Sequence, residues 1–94
     1  MSSALLVTRV RFAPAPPLDQ QAGLIGWVAV QIDDAIEING IAVRYTLPGR
    51  VRCSMPRRTD RHGRHHPVVC VSNATRRELE AQVIAALRDQ GVLQ

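Results

Sequence analysis

The sequence contains no lysine: all twelve basic residues among its 94 are arginine. It has one Phe, one Trp and one Tyr, so we expect no surface rich in exposed rings for stacking. No apolar run approaches the roughly 20 residues that cross a bilayer, and the early run Ala4–Val7 is too short for a signal peptide. Two cysteines are too few for a disulfide framework. We therefore expect a cytoplasmic protein with free thiols.

The arginines are concentrated in the second half of the chain. Residues 1–43 carry two arginines and four acidic residues, whereas residues 44–94 carry ten arginines and four acidic residues. An apolar fraction of 46% argues against disorder, and the length predicts one domain over residues 1–94 with its core at about 5–90. The basic half predicts a surface that faces a polyanion.

Short apolar and alternating segments predict a β-rich first two thirds. The predicted strands are 5–12, 24–32, 35–45, 50–55 and 67–71, with a turn at Pro48-Gly49. The run 24–32 is almost all apolar, which predicts a central strand covered on both faces with Trp27 in the core. The Pro-rich segment 13–22 is predicted to be an exposed loop and the polar segment 57–66 a flexible basic loop. Asn39-Gly40 interrupts the alternation and predicts a bulge or bend.

One amphipathic helix is predicted to follow the strands. Thr75 and Glu78 have the spacing of a capping box, and Gly91 predicts the end of the helix. Its apolar stripe is Leu79, Val83, Ile84, Ala86 and Leu87. The predicted fold class is α+β: a small antiparallel sheet of about five strands with one C-terminal helix packed on it. The edges of such a sheet favour a strand-mediated dimer.

Seven arginines between residues 44 and 64 form the first candidate site. Arg50 and Arg52 share one face of a predicted strand, and Arg44 can join them across the hairpin. The basic loop adds Arg57, Arg58, Arg61 and Arg64. A planar guanidinium suits bidentate phosphate binding. A solvated strand face is the alternative interpretation, but this density of arginine exceeds what solubility requires.

The start of the helix is the second candidate site. Arg76 and Arg77 fall in its predicted first turn, where the macrodipole disfavours a cation by about 0.3–1 kcal/mol. A phosphate held there by backbone N–H groups and two guanidiniums gives this placement a purpose. Alternatively, the two arginines are exposed and tolerated at small cost.

The sequence gives little support for metal binding or for catalysis. Two cysteines and three histidines lie within eighteen residues, at Cys53, His62, His65, His66 and Cys70. There is no Cys-x-x-Cys knuckle, so we predict no metal and interpret the cysteines as small buried hydrophobes. Asp33-Asp34 fits a turn better than an acid/base pair, and no nucleophile has a base in view. We expect no cofactor, no catalytic residue and no enzyme activity.

Five segments between Val7 and Leu87 have a distinctive order and spacing. They are Val7-Thr8-x-Val10-Arg11, Gly26-Trp27-Val28-Ala29-Val30-Gln31-Ile32-Asp33-Asp34, Ile36-x-Ile38-x-x-Ile41-x-Val43, Met55-Pro56-Arg57-Arg58 and Asn73-Ala74-Thr75-Arg76. This order resembles the SpoVG (stage V sporulation protein G, septation regulator) family. The resemblance implies a small bacterial regulator, dimeric, that binds DNA and in some cases RNA. It implies contacts at Arg57 and Arg58 and at Thr75 and Arg76.

The chain departs from the family pattern in two places. His66-Pro67 lies three residues before the position expected for a His-Pro pair, which falls on Val69-Cys70. Glu78 stands where the family has a lysine at the predicted N3 position of the helix.

The leading hypothesis is a non-enzymatic, dimeric regulator that binds DNA, RNA or both. Its predicted contact residues are Arg50, Arg52, Arg57, Arg58, Arg61, Arg64, Thr75, Arg76 and Arg77. The alternative is a protein-interaction module, an accessory or inhibitory subunit, that docks an acidic partner through the same basic face. Glu78 favours that alternative slightly.

Overall fold

The computed structural model describes residues 6–47, 49–68 and 71–93. Its elements are β1 (Val7–Pro14), α1 (Pro17–Gln21), β2 (Leu24–Ile32), β3 (Ile36–Leu47), β4 (Arg50–Ser54), β5 (Arg57–Thr59), β6 (His65–Pro67) and α2 (Asn73–Asp89). Strands β1 to β4 form an antiparallel sheet in chain order, and β5 and β6 form a separate two-stranded hairpin. Helix α2 packs on one face of the four-stranded sheet. This is the α+β architecture that the sequence predicts.

Alternation along the strands decides which side chains form the core. In β2, Val28, Val30 and Ile32 are buried, and the residues between them are only half-buried. The buried cluster comprises Val28, Val30, Ile32, Ile38, Ile41, Val43, Cys53, Leu79, Val83, Leu87 and Leu93. Burying one such Val or Leu side chain stabilises the fold by about 1.5–3 kcal/mol. The interface between the sheet and α2 therefore holds most of the apolar stabilisation, and the predicted stripe on α2 is confirmed.

The turn between β2 and β3 is the tight turn that the sequence predicts. Asp33 and Asp34 have φ values of 53° and 54°, and the Ala35 N–H donates to the Ile32 carbonyl at 2.9 Å. Two consecutive residues with positive φ form the hairpin turn that matches the twist of its strands. At the other end of β3, Gly49 has a φ of 79° before β4, and Pro48 of the predicted turn lies outside the described residues.

The predicted bulge at Asn39-Gly40 is confirmed. Val28 lies opposite Ile41 and Val30 lies opposite Ile38, so two residues of β3 oppose one residue of β2. Gly40 has a φ of 82°, a conformation that favours glycine. The bulge keeps both isoleucines on the buried face although their spacing in the sequence is odd.

The N-terminus of α2 differs from the prediction. Ser72, not Thr75, is the N-cap, and its hydroxyl accepts the Thr75 N–H at 3.1 Å. The prediction of a capping box formed by Thr75 and Glu78 is therefore wrong. Ser72 and Thr75 are both good caps three residues apart, and the sequence alone does not separate them. The helix accordingly starts three residues earlier than the predicted cap allows.

The C-terminus of α2 is as predicted. Gly91 has a φ of 80°, and the N–H groups of Val92 and Leu93 both point to the Leu87 carbonyl, at 2.9 and 3.3 Å. A glycine in this conformation ends a helix and satisfies its last carbonyls. Leu93 is buried, so the chain folds back over the last turn.

The Pro-rich segment 13–22 is not a plain loop. Strand β1 continues through Pro14, and α1 follows as a single turn of helix with Pro17 in its first turn. Proline fits there because the first helical N–H groups have no partner within the helix. The segment is exposed as predicted, apart from the buried Ala15.

The face of the sheet opposite α2, here called the open face, corrects the prediction of a strand covered on both faces. Trp27 and Ala29 point to that face and are half-buried, so Trp27 does not lie in the core. Trp27 is paired with Ala13 on β1 and Ala42 on β3. An apolar strand does not need a second covering layer when its neighbours on that side are as small as alanine.

The segment 57–66 is not only the hairpin loop that the sequence predicts, because it contains β5 and most of β6, which pair with each other. Arg57 pairs with Pro67 and Thr59 pairs with His65. The predicted buried strand 67–71 is wrong for its described part, because Val68 is 60% exposed and lies outside the strands. Val69 and Cys70 lie outside the described residues.

Polar side chains of α2 reach both edges of the four-stranded sheet. Gln82 Oε1 accepts the Val7 N–H at 2.9 Å, and Gln90 Nε2 donates to a β1 carbonyl at 3.1 Å. At the opposite edge, Glu80 Oε2 accepts the Cys53 N–H of β4 at 2.7 Å. These contacts occupy backbone groups that another strand could otherwise pair with.

Candidate nucleic-acid interface

The arginines of β3 and β4 lie close together, as the sequence predicts. Arg44 is directly opposite Arg52 in the sheet. Arg50 and Arg52 are both exposed, with the half-buried Val51 between them. Like charges directly opposite each other on a sheet are destabilising, so this pairing lowers stability unless an anion or an acidic side chain compensates.

Three predicted arginines from three different elements line one groove, here called the basic groove. Arg52 comes from β4, Arg57 from β5 and Arg76 from α2. The groove has a volume of about 440 Å³, and Met55 and Pro56 form part of its lining. The tertiary fold thus joins the two places that the sequence identifies separately.

Glu80 lies between two of these arginines. Its Oε2 is 3.3 Å from Arg52 Nε and 3.7 Å from Arg76 Nη1, and it also accepts the Cys53 N–H. The Glu80 side chain is 15% exposed and that of Arg52 is 48% exposed, so the carboxylate is more shielded from water than the guanidinium. Each guanidinium uses one nitrogen for this contact, and a guanidinium has five N–H donors. Three arginines and one carboxylate give the basic groove a formal charge of +2.

Asp60 organises the turn of the β5–β6 hairpin. Its Oδ1 accepts the N–H groups of His62 and Arg64 at 2.8 and 3.0 Å, and His66 Nε2 donates to Oδ2 at 2.8 Å. These bonds, that from His66 first, lower the pKa of the Asp60 carboxyl below its ordinary value. The Asp60 carboxylate therefore fixes the turn of the hairpin. The side chains of Arg58, Arg61 and Arg64 on this hairpin are exposed.

The start of α2 contributes less than the sequence predicts. Because α2 begins at Asn73, Arg76 and Arg77 lie in its second turn, where the macrodipole is weaker. Thr75 occupies the N3 position in place of Glu78, and its hydroxyl accepts the Ser72 O–H at 2.9 Å. The position of Arg76 is explained by its i,i+4 pair with Glu80, without a phosphate at the helix terminus.

The remaining predicted contact residues do not line the basic groove. They are Arg50 on β4, Arg58, Arg61 and Arg64 on the hairpin, and Thr75 and Arg77 on α2. All five arginines in this set are exposed, whereas Thr75 is half-buried.

Cys53 is an inert part of the core beneath the groove. Desolvation by burial, aided by the charge of Glu80, raises the pKa of its thiol to about 12. The thiol stays protonated at neutral pH, which confirms Cys53 as a small buried hydrophobe. Cys70 lies outside the described residues.

Within residues 6–47, 49–68 and 71–93, no three His, Cys, Asp or Glu side chains come together in a way that could hold a metal ion. In the same ranges, none of the helices combines the length and the apolar character needed to cross a membrane.

Two residues important to this region are missed by the sequence interpretation. Glu80 had a usable signal, since it follows Arg76 by four residues on a predicted helix. Trp27 had a weaker signal, since the period of two along β2 places it on the other face of the strand from Val28 and Val30. A strand apolar on both sides conceals which side faces the helix.

No protein-family model matches this chain, and no curated protein matches it either. The interpretation of the site therefore depends on its own geometry and charge.

Proposed function

We propose that this protein is a non-enzymatic, cytoplasmic regulator that binds DNA, RNA or both through backbone phosphates. The observation that carries the proposal is the basic groove, where Arg52, Arg57 and Arg76 converge from three elements around one carboxylate. Arginine forks bind phosphate oxygens at two points, which suits such a groove to a nucleic-acid backbone.

Exposed arginines next to the groove extend the proposed contact surface. The hairpin contributes Arg58, Arg61 and Arg64, the strand Arg50, and the helix Arg77 together with Thr75. Contacts of this kind fix position on the backbone and carry little sequence information. If about four phosphates are neutralised per protomer, log K falls against log salt with a slope of about −4 per protomer.

The resemblance to SpoVG proteins supports the same proposal and adds a regulatory role in septation and a dimer. Any strand-mediated dimer has to accommodate the side chains at the sheet edges, because Gln82, Gln90 and Glu80 already bond to backbone groups there. Sedimentation equilibrium tests the dimer directly, and a monomer at all concentrations would remove this part of the proposal.

The test is the salt dependence of binding to labelled random-sequence DNA and RNA, measured by fluorescence anisotropy. Arg57→Ala is expected to weaken binding and to reduce the salt slope by about 1. Arg88→Ala is the matched control, because it removes the same charge from an exposed site at the far end of α2, away from the groove. The double reversal Arg57→Glu and Arg58→Glu is expected to abolish binding at moderate salt.

Three outcomes would overturn the proposal. Affinity that stays flat between low and moderate salt contradicts a phosphate-based interaction. Equal losses for Arg57→Ala and Arg88→Ala would mean that net charge alone attracts the nucleic acid. Absence of binding to every nucleic acid at moderate salt would favour the other class of polyanion, an acidic protein partner.

A further inference from the structure

The single tryptophan of the chain lies on the open face of the sheet among unusually small neighbours. The residues directly across from Trp27 on both adjacent strands are Ala13 and Ala42. The residue two positions along β2 on the same face is Ala29. Alanine side chains are short, and Trp27 is half-buried.

Trp27 also lines a cleft between the open face and the β5–β6 hairpin. The cleft has a volume of about 510 Å³, and Arg44, Arg57 and His65 line it together with Trp27. An aromatic ring with cationic side chains beside it is the arrangement that binds unpaired nucleotides.

The Trp27 cleft adjoins the basic groove. Ser54, Met55, Pro56 and Arg57 line both. One extended ligand can therefore place phosphates on Arg52, Arg57 and Arg76 in the groove and a base in the cleft.

The charge of the open face decides between possible occupants. Arginines stand on both sides of Trp27 at strand positions of this face: Arg9 and Arg11 on β1, and Arg44 and Arg52 on β3 and β4. Glu37 also lies on this face and pairs with Arg11 at 2.9 Å. A second copy packed face to face would bring arginine against arginine, whereas a polyanion is attracted to the whole face.

We propose that the Trp27 cleft binds an unpaired base of single-stranded nucleic acid, stacked on the indole, with the adjoining phosphates on Arg44 and Arg57. This inference rests on the proposed nucleic-acid binding and specifies its substrate class. A duplex keeps its base faces stacked on each other, so only an unpaired base can present a face to the ring.

The experiment uses the sole tryptophan as its own probe. The full chain is titrated with single strands of about 12 nucleotides, oligo-dT and oligo-U, and with a blunt duplex of the same length. The emission of Trp27 and the anisotropy of the labelled nucleic acid are both recorded. Single strands are expected to quench Trp27 as they bind, and the duplex to bind without quenching.

Three variants sharpen the result. Trp27→Ala is expected to weaken single-strand binding about 5- to 150-fold and to leave duplex binding unchanged. Trp27→Phe keeps a ring in the cleft and is expected to restore most of the affinity. Arg57→Ala is expected to weaken the binding of both the single strands and the duplex, because the Arg57 side chain lines both the groove and the cleft.

The outcomes separate this inference from the proposal beneath it. Salt-dependent binding without quenching, unchanged by Trp27→Ala, overturns the stacking site and leaves phosphate binding intact. No binding of any strand or duplex overturns both. Emission that shifts with protein concentration alone shows a second copy on this face and overturns the cleft as a base site. If Trp27→Ala fails to fold by circular dichroism, quenching of the unaltered protein still decides the question.

Discussion

The two faces of the four-stranded sheet are built from the same strands and yet differ in how far their side chains are buried. On the face under α2, Val28, Val30 and Val43 have 1% or less of their surface exposed. On the open face, Trp27 and Ala29 alternate with those buried residues and are half-buried. One strand thus carries core side chains on one side and part of the proposed binding surface on the other.

This difference separates the residues that stabilise the fold from those of the proposed binding surface. The covered face buries large aliphatic side chains, and burial of this kind dominates the stability of a small domain. The open face has Trp27 among small apolar residues at its centre and arginines at its borders. Substitutions on the two faces should therefore separate stability from binding.

The largest expected effect comes from breaking the covered face. Leu79→Ala removes a side chain that is 1% exposed and should lower the free energy of unfolding by about 2–5 kcal/mol. Gln31→Ala is the matched change on the open face and should stay within about 0.5 kcal/mol. Urea denaturation followed by circular dichroism measures both. Similar losses in the two variants would show that the open face is packed in solution.

A second effect concerns Glu80, at the edge where the two faces meet. Glu80→Ala leaves the Cys53 N–H without its acceptor and should cost about 1–3 kcal/mol. The same change raises the formal charge of the basic groove by one, so nucleic-acid affinity should increase. Denaturation and anisotropy titrations measure the two quantities on the same protein.

Glu80→Gln is the control for that experiment, because it removes the charge and keeps an acceptor oxygen. It should retain most of the stability lost in Glu80→Ala and should still bind nucleic acid more tightly than the natural sequence. Weaker binding in both variants would contradict a simple charge effect. It would show instead that Glu80 orients Arg52 and Arg76 for phosphate.

A third effect tests which residue begins the helix on the covered face. Ser72→Ala should lower stability by about 0.5–2 kcal/mol, because the Thr75 N–H loses the serine oxygen that caps it. Thr75→Ala should cost less, since the threonine hydroxyl accepts only from Ser72 in the cap. Thermal unfolding of the two variants makes the comparison, and the reverse order would return the cap to Thr75.

The smallest expected effect is local to the hairpin beside the open face. Hydrogen bonds from His66 and from the Arg64 backbone lower the pKa of Asp60, so its stabilisation is complete above about pH 4. It is lost as the pH falls through the lower pKa of the folded state. The amide proton shifts of His62 and Arg64, measured by NMR, should follow this acid titration. Asp60→Asn should abolish it, and unchanged shifts in that variant would assign the titration elsewhere.

Much of the covered face is predictable from the sequence. The stripe on α2, the strand 24–32, the bulge at Asn39-Gly40 and the stop at Gly91 all follow from local periodicity and backbone chemistry. The helix cap was mistaken because Ser72 and Thr75 meet the same local requirement. Prolines at 16 and 17 concealed α1, since proline both interrupts a strand and favours the first turn of a helix.

The candidate site was predictable only in its parts. The arginines of the strand, the hairpin and the helix were visible as charge in the sequence. Their meeting in one groove was not, because Arg52 and Arg76 are brought together by Glu80 across the edge of the sheet. No sequence rule for one element describes a contact between a strand edge and a helix.

The sequence by itself determined the α+β class, the apolar stripe of α2 and the basic character of the second half. Periods of two and 3.6, turn residues and charge are local properties of the chain, and these features depend on them. Only the tertiary structure decided that Trp27 lies outside the core, that 57–66 is an ordered hairpin and that three arginines share a groove. Each of these depends on which face α2 covers and on where the hairpin folds. Contacts between elements far apart in the chain settle both.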